Sequence, residues 1–148
     1  MKIGIVGLGL IGASLAGDLR RQGHEVYGVS RRASTCEQAL GRGFVNFASQ
    51  DLGLLRSVEV IFLCTPIHLI IPTLARLVPH LTSPTIVTDV ASVKTAIARP
   101  ASQLWPHFIG GHPMAGTADQ GIDAAQANLF QGAPYVLTPT ANTDPTQL

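Results

Sequence analysis

Charged side chains are scarce in this chain: only 13% of its 148 residues are Asp, Glu, Lys or Arg, whereas 46% are hydrophobic. This imbalance is typical of an α/β protein whose parallel strands are covered on both faces, and the length suits one domain. The net charge of +1 argues against a protein that binds nucleic acid by releasing counterions. We therefore expect one domain and no nucleic-acid partner.

Cysteine and long apolar runs are also scarce. The two cysteines are Cys36 and Cys64, and neither they nor the histidines and acidic residues have the spacing of a disulfide framework or a zinc site. Charge, proline or glycine interrupts every apolar run before it is long enough to span a bilayer. We expect no metal and no membrane partner and, without a targeting segment, a cytoplasmic location.

The first residues carry the clearest pattern in the chain. Lys2–Val6 is an apolar, β-branched run that predicts a buried strand, and Ala13–Gln22 predicts a helix that ends at Gly23. Between them lies Gly7-Leu-Gly-Leu-Ile-Gly12, a G-x-G-x-x-G sequence in the strand–loop–helix context of a dinucleotide-binding loop. This pattern predicts a nucleotide site.

The residues of such a loop have separate physical roles. Gly7 permits the tight turn, Gly9 lets a pyrophosphate approach the backbone, and Gly12 lets helix and strand pack closely. Leu10 and Ile11, which lie between Gly9 and Gly12, are predicted to contact the cofactor with them. The N-terminus of the helix that follows offers free N–H groups and a positive dipole end to the phosphates.

A secretory signal peptide is the alternative interpretation of this region, because a lysine precedes an apolar stretch that ends in Ala13-Ser-Leu-Ala16. Glycines break that stretch at regular points, however, and it continues without a pause into a polar helix and a second strand. We therefore favour the nucleotide site.

The end of the second predicted strand, Glu25–Val29, bears on the choice of cofactor. In dinucleotide-binding domains an acidic residue about 20 positions beyond the glycine loop bonds the ribose 2′-hydroxyl of NAD. This chain has Ser30, Arg31 and Arg32 there, and a hydroxyl with two guanidinium groups suits a 2′-phosphate. We predict NADP as the cofactor; the alternative is a solvated basic turn without a ligand.

Strands and helices are predicted to alternate along the rest of the chain. Further strands are expected at Phe44–Phe47, Val58–Cys64, Pro84–Val90, from Phe108 into a glycine-rich loop, and at Pro134–Thr138. Further helices are expected at Ala33–Arg42, Ile67–Leu81, Lys94–Leu104 and Asp123–Leu129. This alternation predicts an α/β fold with a doubly wound, mostly parallel sheet. Residues 139–148 are rich in Thr, Pro and Asn and are predicted to be a linker.

Polar residues follow three of these predicted strands. The stretches are Cys64-Thr-Pro66, Asp89-Val-Ala-Ser-Val-Lys94 and Gly110-Gly-His-Pro-Met-Ala-Gly116. Because parallel strands end at one edge of the sheet, we expect the backbone of Cys64, Thr65 and Pro66 to face the cofactor. Ser92 and His112 are expected to meet beside its nicotinamide as a hydroxyl donor and a base.

Three other polar residues have simpler interpretations. Asp89 is expected to cap the loop after its strand, and Lys94 to begin the next helix. His68, at the start of a predicted helix, is a candidate neighbour of the cofactor under the same rule about strand ends.

Together, these motifs resemble the prephenate/arogenate dehydrogenase family of tyrosine biosynthesis, in the family's order and over nearly the whole chain. The stretch Gly110–Gly116 carries most of the weight, because the other pieces recur across dehydrogenases. The turn Ser30–Arg32 resembles NADP-preferring members found among arogenate dehydrogenases. The resemblance implies a Rossmann-type NADP-binding domain over residues 1–138, with residues 139–148 leading to a helical domain that this chain lacks.

The activity that the resemblance implies is oxidative decarboxylation of arogenate or prephenate. His112 matches the family's catalytic histidine and would accept the proton of the ring hydroxyl while hydride passes to NADP⁺. Ser92 would hydrogen-bond the histidine or the substrate hydroxyl and lie on the nicotinamide side of the cofactor. Loss of CO₂ then makes the ring aromatic.

Two departures from the family's pattern limit this comparison. Thr117-Ala-Asp119 stands where many members have a glutamate, which leaves open how the side chain of the substrate is recognised. The family also continues into a helical domain that forms the homodimer and supplies cations for the substrate carboxylate. We therefore expect this chain alone to bind cofactor but to turn over poorly.

Two other functions are kept as alternatives. One is a different NADP-dependent dehydrogenase of similar fold, such as a β-hydroxyacid dehydrogenase or a pyrroline-carboxylate reductase, which lack the Gly110–Gly116 motif. The other is a non-catalytic NADP-binding module.

Overall fold

A computed structural model describes residues 1–82 and 84–148. Within them, the strands are β1 (Lys2–Val6), β2 (Glu25–Val29), β3 (Phe47–Ser49), β4 (Val60–Leu63), β5 (Ile86–Asp89), β6 (Phe108–Pro113) and β7 (Tyr135–Thr138). The α-helices are α1 (Leu10–Arg21), α2 (Ala33–Gly41), α3 (Ile70–Leu77) and α4 (Thr95–Leu104). Short 3₁₀ turns lie at Leu52–Leu55, Ile67–Leu69, Val78–His80, Ile122–Ala124 and Pro145–Gln147.

The strands form one sheet in the order β3-β2-β1-β4-β5-β6-β7, in which only β7 runs antiparallel to its neighbour. The predicted α/β fold with a doubly wound, mostly parallel sheet is therefore confirmed. Val6 pairs with both Val29 and Leu63, and Leu63 pairs with Asp89. This register brings the carboxyl ends of β1, β2, β4 and β5 level, and the chain order reverses between β1 and β4, where ligands bind in such folds.

Two hydrophobic cores cover the two faces of the sheet. One includes Ile5 and Val26 together with buried alanines of α1, and the other includes Val6, Leu74 and Phe108. Ile5 and Val6 lie in different cores because successive side chains of a strand point to opposite faces. The burial of both faces accounts for the low content of charged residues.

The predicted helix Ile67–Leu81 is wrong in its extent. Only Ile70–Leu77 is α-helical, with a 3₁₀ turn at each end. Pro72 lies in the first turn of α3, where N–H groups make no intrahelical hydrogen bond, so the missing N–H of proline costs none. Pro79 lies in the 3₁₀ turn that follows the helix. The first helix also begins earlier than predicted, at Leu10 directly after Gly9.

Two other predicted elements are corrected. The strand expected at Phe44–Phe47 is found at Phe47–Ser49, because the side chain of Asn46 accepts the Val26 N–H at 2.8 Å before the ladder begins. The helix expected at Asp123–Leu129 is only the 3₁₀ turn Ile122–Ala124. Ile122 is buried there in the core that includes residues of α1 and α2, and the turn packs against these two helices, so tertiary packing takes the place of helical periodicity.

The end of the chain folds back on the domain. The side chains of Gln147 and His107 contact each other, and Pro145–Gln147 forms a 3₁₀ turn.

Among the helices that the structure describes, none is long and apolar enough to cross a membrane.

Candidate functional site

A groove of about 920 Å³ runs along the carboxyl edge of the sheet, a volume in the range of small-molecule sites. It brings together predicted residues from five different parts of the chain. The predicted residues that line it are Gly7, Gly9, Leu10, Ile11, Ser30, Arg31, Arg32, Cys64, Thr65, Pro66, Ser92 and His112. Gly12 lies below the groove surface, where it is buried against the carbonyl oxygen of Gly7.

The glycine loop has the backbone geometry that its sequence predicts. Gly7 has a φ of +92°, and a Cβ there would lie 2.8 Å from the carbonyl oxygen of Cys64. A Cβ on Gly12 would overlap the carbonyl oxygen of Gly7. At Gly9, in contrast, a Cβ would meet no described atom within 4 Å, so the backbone of this residue is open to a ligand in the groove.

The N-terminus of α1 faces this opening with unpaired donors. Gly9 is the N-cap and provides no side-chain cap, and the first turn contains no acidic residue. The first intrahelical bond is made by the N–H of Ala13 to the Gly9 oxygen at 2.9 Å. The N–H groups from Leu10 to Gly12 therefore remain for an anion, to which the helix dipole adds attraction.

The turn after β2, which is predicted to contact the adenosine ribose, lines another part of the groove. The Ser30 N–H donates to the Ser49 oxygen at 3.2 Å, which ties the turn to β3. Arg31 and Arg32 are exposed, and the Arg31 carbonyl accepts a hydrogen bond from Gln50 Nε2 at 2.7 Å. The turn is thus held by its backbone while both guanidinium groups face solvent at the groove.

Sequence reasoning missed several other residues that line the groove. They are Ser34, Thr35, Gln38, Gln50, Thr73 and Arg76. The helical spacing of Thr35 and Gln38, one turn apart just after the arginines, was a usable signal. Gln50 reaches the groove because β3 lies beside β2 in the sheet, and Arg76 because α3 packs against the sheet. The sequence pattern gives neither of these tertiary positions. His68 is not among the lining residues, although its neighbours Ile67 and Leu69 are.

The end of β4 forms the floor between the two halves of the groove. The Cys64 N–H donates to the Val6 oxygen at 2.7 Å. Burial raises the pKa of the Cys64 thiol, and the negative charge of Asp89 raises it further, so this thiol is neutral rather than a nucleophile at neutral pH. The Thr65 hydroxyl oxygen is buried and has no partner in the described part of the chain, which leaves it for a group bound in the groove.

The remaining wall carries Ser92, in the loop after β5, and His112, on β6. Behind it lies the buried Asp89, whose carboxylate accepts the N–H groups of Ala91 at 3.0 Å and Gly111 at 3.1 Å. Asp89 therefore caps the loop after β5, as expected, and its carboxylate also accepts a hydrogen bond from β6. Lys94 is the N-cap residue of α4, as expected, but its ammonium group also turns back to the Asp89 carboxylate.

The donors of this groove fit a dinucleotide. The open backbone at Gly9 and the free N–H groups of α1 suit a pyrophosphate, and the unpartnered Thr65 hydroxyl lies where the nicotinamide half would continue along the sheet edge. A doubly wound sheet with these features at its switch point defines a Rossmann-type dinucleotide-binding domain.

Comparison with known proteins gives the family. Residues 15–148 match the family described as "Prephenate dehydrogenase, nucleotide-binding domain", and the chain belongs to it. This membership decides against the β-hydroxyacid dehydrogenase and pyrroline-carboxylate reductase alternatives.

Individual relatives agree with this assignment. The crystal structure of Synechocystis arogenate dehydrogenase is 71% identical, matches 99% of this chain with a TM-score of 0.97, and is itself covered to 53%. Prephenate dehydrogenase from A. aeolicus, in complex with hydroxyphenyl propionate and NAD⁺, is 29% identical over 99% of this chain, with a TM-score of 0.93 and 53% of its own chain covered. Prephenate dehydrogenase of Lactococcus lactis is 36% identical over 93% of this chain and is covered to 40%. The chain thus spans about half, or less, of the length of these relatives.

Proposed function

We propose that this chain is the NADP-binding and catalytic domain of an arogenate dehydrogenase. The observation that carries the proposal is that Ser92 and His112 line the same groove as the glycine loop. The 71% identity to the Synechocystis arogenate dehydrogenase favours arogenate over prephenate as the substrate.

NADP is the proposed cofactor because of the turn at Ser30–Arg32. Two exposed guanidinium groups and a hydroxyl line the end of the groove where the adenosine would lie. Arg offers forked, charge-assisted donors to phosphate oxygens, whereas the acidic residue that would bond an unphosphorylated ribose is absent from the turn.

The proposed reaction uses His112 twice. NADP⁺ bound in the groove supplies the hydride acceptor. His112 takes the proton of the ring hydroxyl as hydride leaves the same carbon, which becomes a carbonyl carbon. The ring carboxylate then leaves as CO₂, and its bonding electron pair moves through the ring to the carbonyl oxygen. His112 returns the proton to that oxygen, so the protons balance and an aromatic phenol is the product.

Ser92 is proposed to hold the reacting groups in line. Its side chain is exposed at the groove wall, so the hydroxyl can hydrogen-bond the substrate hydroxyl or the imidazole. Such alignment is a large part of what positioned groups contribute to a reaction.

Substrate binding is proposed to need a second domain. The relatives are about twice as long as this chain, and the groove of the described residues is open along the sheet edge. We propose residues 1–138 as the cofactor domain and 139–148 as the connection to a helical domain. The homodimer and the cytoplasmic location stay predictions.

Cofactor binding tests the first half of the proposal in the chain itself. We expect NADPH to bind about 10- to 100-fold more tightly than NADH in calorimetric titrations, the effect of one or two charge-assisted hydrogen bonds. Arg31→Ala and Arg32→Ala should each reduce this ratio and leave NADH binding unchanged. Equal affinity for the two nucleotides in the unmodified chain would contradict the NADP assignment.

Catalytic turnover tests the second half of the proposal, the oxidative decarboxylation of arogenate. For this assay, residues 1–148 are joined to the second half of Synechocystis arogenate dehydrogenase; we call this protein the joined enzyme. With NADP⁺ and arogenate it should produce tyrosine and NADPH, and His112→Asn should remove this activity. NADPH binding without turnover of arogenate or prephenate would indicate a non-catalytic binding module instead.

A further inference from the structure

Asp89 is a fully buried carboxylate at the carboxyl end of β5, with no exposed surface. Its Oδ2 accepts the N–H of Ala91 at 3.0 Å, and its Oδ1 accepts the N–H of Gly111 at 3.1 Å. The ammonium group of Lys94 completes the set of donors on Oδ2. Ala91 directly precedes Ser92, and Gly111 directly precedes His112, so one side chain holds the backbone beside both residues.

Lys94 extends this hold to the next peptide group. Its Nζ donates to the carbonyl oxygen of Gly111 at 2.7 Å while it pairs with Asp89. That carbonyl belongs to the peptide bond that joins Gly111 to His112. The Asp89–Lys94 pair therefore holds the two successive peptide groups that lead into the histidine.

The backbone ladder does not hold these peptide groups from the β5 side. The register between β5 and β6 consists of Val87 with Phe108 and Thr88 with Ile109. From Gly110 onward, β6 is paired only with β7 on its other edge. The Asp89–Lys94 ion pair thus links β5 to β6 beyond the point where main-chain pairing between these two strands ends.

Neither member of the pair is among the residues that line the groove, whereas Ala91 and Ser92 are. An effect of Asp89 on the reaction would therefore pass through its neighbours. An asparagine could accept one of the N–H groups, but it could not neutralise the largely buried ammonium group of Lys94.

We propose that Asp89 is a positioning residue, whose ion pair with Lys94 fixes the loop that carries Ser92 against the strand that carries His112. The proposal rests on the proposed function, in which these two residues act on one substrate hydroxyl. Displacement of a catalytic group by about 1 Å can lower a rate by about 100-fold, so this pair controls turnover without touching the ligands.

The first test is structural and uses the chain itself. In Asp89→Asn, NMR should record faster hydrogen exchange at the Gly111 amide and shifted resonances for the amides of Ser92 and His112. Asp18→Asn is the matched control, because Asp18 also joins a cation, Arg21, to a backbone N–H, that of Asn128. It should leave the Ser92 and His112 resonances in place. Unmoved Ser92 and His112 resonances in Asp89→Asn would overturn the proposal.

The second test separates positioning from folding. In the joined enzyme, Asp89→Asn should lower kcat by about 10- to 100-fold. The Kd of NADPH should stay within about twofold, as for substitutions that touch no ligand. An unchanged kcat, or a loss of NADPH affinity equal to the loss of kcat, would overturn the proposal.

Two further comparisons keep the result decisive. If Asp89→Asn does not fold, Lys94→Gln takes its place with the same readouts, since it releases the Gly111 carbonyl while Asp89 keeps two N–H donors. If the unmodified joined enzyme turns over neither arogenate nor prephenate, the proposed function fails. The NMR comparison still decides whether Asp89 positions the two residues.

Discussion

The hydroxyl of Tyr135 on β7 donates a hydrogen bond to the backbone oxygen of Asp89 on β5, 3.0 Å away. It crosses over Gly111 of the intervening strand β6, where an added Cβ would overlap the tyrosine hydroxyl and lie 2.7 Å from the same Asp89 oxygen. Gly111 must therefore be a glycine because a side chain from the edge strand occupies its space. The antiparallel strand is thus attached to the strand end that supports Ser92.

Replacement of Tyr135 by Phe removes this hydrogen bond with little change in volume. We expect the free energy of unfolding to fall by about 1 kcal/mol, the usual net value of one buried hydrogen bond, in urea denaturation. Tyr27→Phe is the control, because the Tyr27 hydroxyl donates a partly buried hydrogen bond to the side chain of Glu25 within its own strand and ties no second element to it. Equal losses in the two variants would mean that the Tyr135–Asp89 bond contributes nothing specific.

Alkaline pH provides a separate test of the same hydroxyl. Burial raises the pKa of Tyr135 in the folded protein, and its bond with Thr88 offsets part of that rise. A raised pKa contributes stability that is complete below about pH 10, the ordinary tyrosine value, and is lost as the pH rises toward the folded-state value. The difference in unfolding free energy between the parent and Tyr135→Phe should therefore shrink between about pH 9.5 and 11.5. A constant difference would contradict this account.

The fold could be predicted from the sequence where local pattern and tertiary packing agree. Lys2–Val6 and Glu25–Val29 were predicted with the bounds that the structure has. Each contains β-branched residues and has a glycine turn close by, at Gly7 after the first strand and at Gly23 before the second. The prediction of a helix at Asp123–Leu129 was wrong, because burial of Ile122 favours a 3₁₀ turn at this point of the chain. The antiparallel direction of β7 was also missed, since a strand pattern does not encode the direction of pairing.

The site was predictable at strand ends and not elsewhere. Motif residues near the carboxyl ends of strands share one groove because parallel strands end at the same edge: Thr65 and Ser92 lie just beyond β4 and β5, and His112 is the last residue but one of β6. Asp89 and Lys94 were recognised only as local capping residues, because their contact with Gly111 crosses to another strand. Gln50 was missed for the same reason: it reaches Arg31 only because β3 lies beside β2.

Gln50 is expected to influence the choice between NADP and NAD. Its side-chain amide fixes the carbonyl of Arg31, so Gln50→Ala should let the arginine turn move and raise the Kd of NADPH by about fivefold, the loss of one hydrogen bond. Binding of NADH should change little, because it has no 2′-phosphate for the turn to contact. Gln103→Ala, an exposed position on α4, is the control in parallel titrations. Equal weakening of both nucleotides would refute a role in selecting the phosphate.

Gly9 and Gly12 should respond differently to the same substitution. Gly9 has a φ of −81°, which alanine adopts freely, and its added Cβ meets no described atom within 4 Å. Because alanine is a poorer N-cap than glycine, Gly9→Ala should cost up to about 1 kcal/mol of stability, yet its methyl group occupies the space proposed for the pyrophosphate. NADPH affinity should therefore fall by at least about 10-fold in a protein that remains folded.

Gly12→Ala places its methyl group on the carbonyl oxygen of Gly7. It should lower the free energy of unfolding by about 3 kcal/mol or more, the range of overpacked core positions. Gly41→Ala, at the end of α2 with open space around it, serves as the neutral control. Thermal unfolding and NADPH titration of the three variants test the roles assigned to the two glycines. The main loss of NADPH affinity should occur in Gly9→Ala and the main loss of stability in Gly12→Ala. Unchanged NADPH affinity in Gly9→Ala would show that the pyrophosphate does not cross this loop.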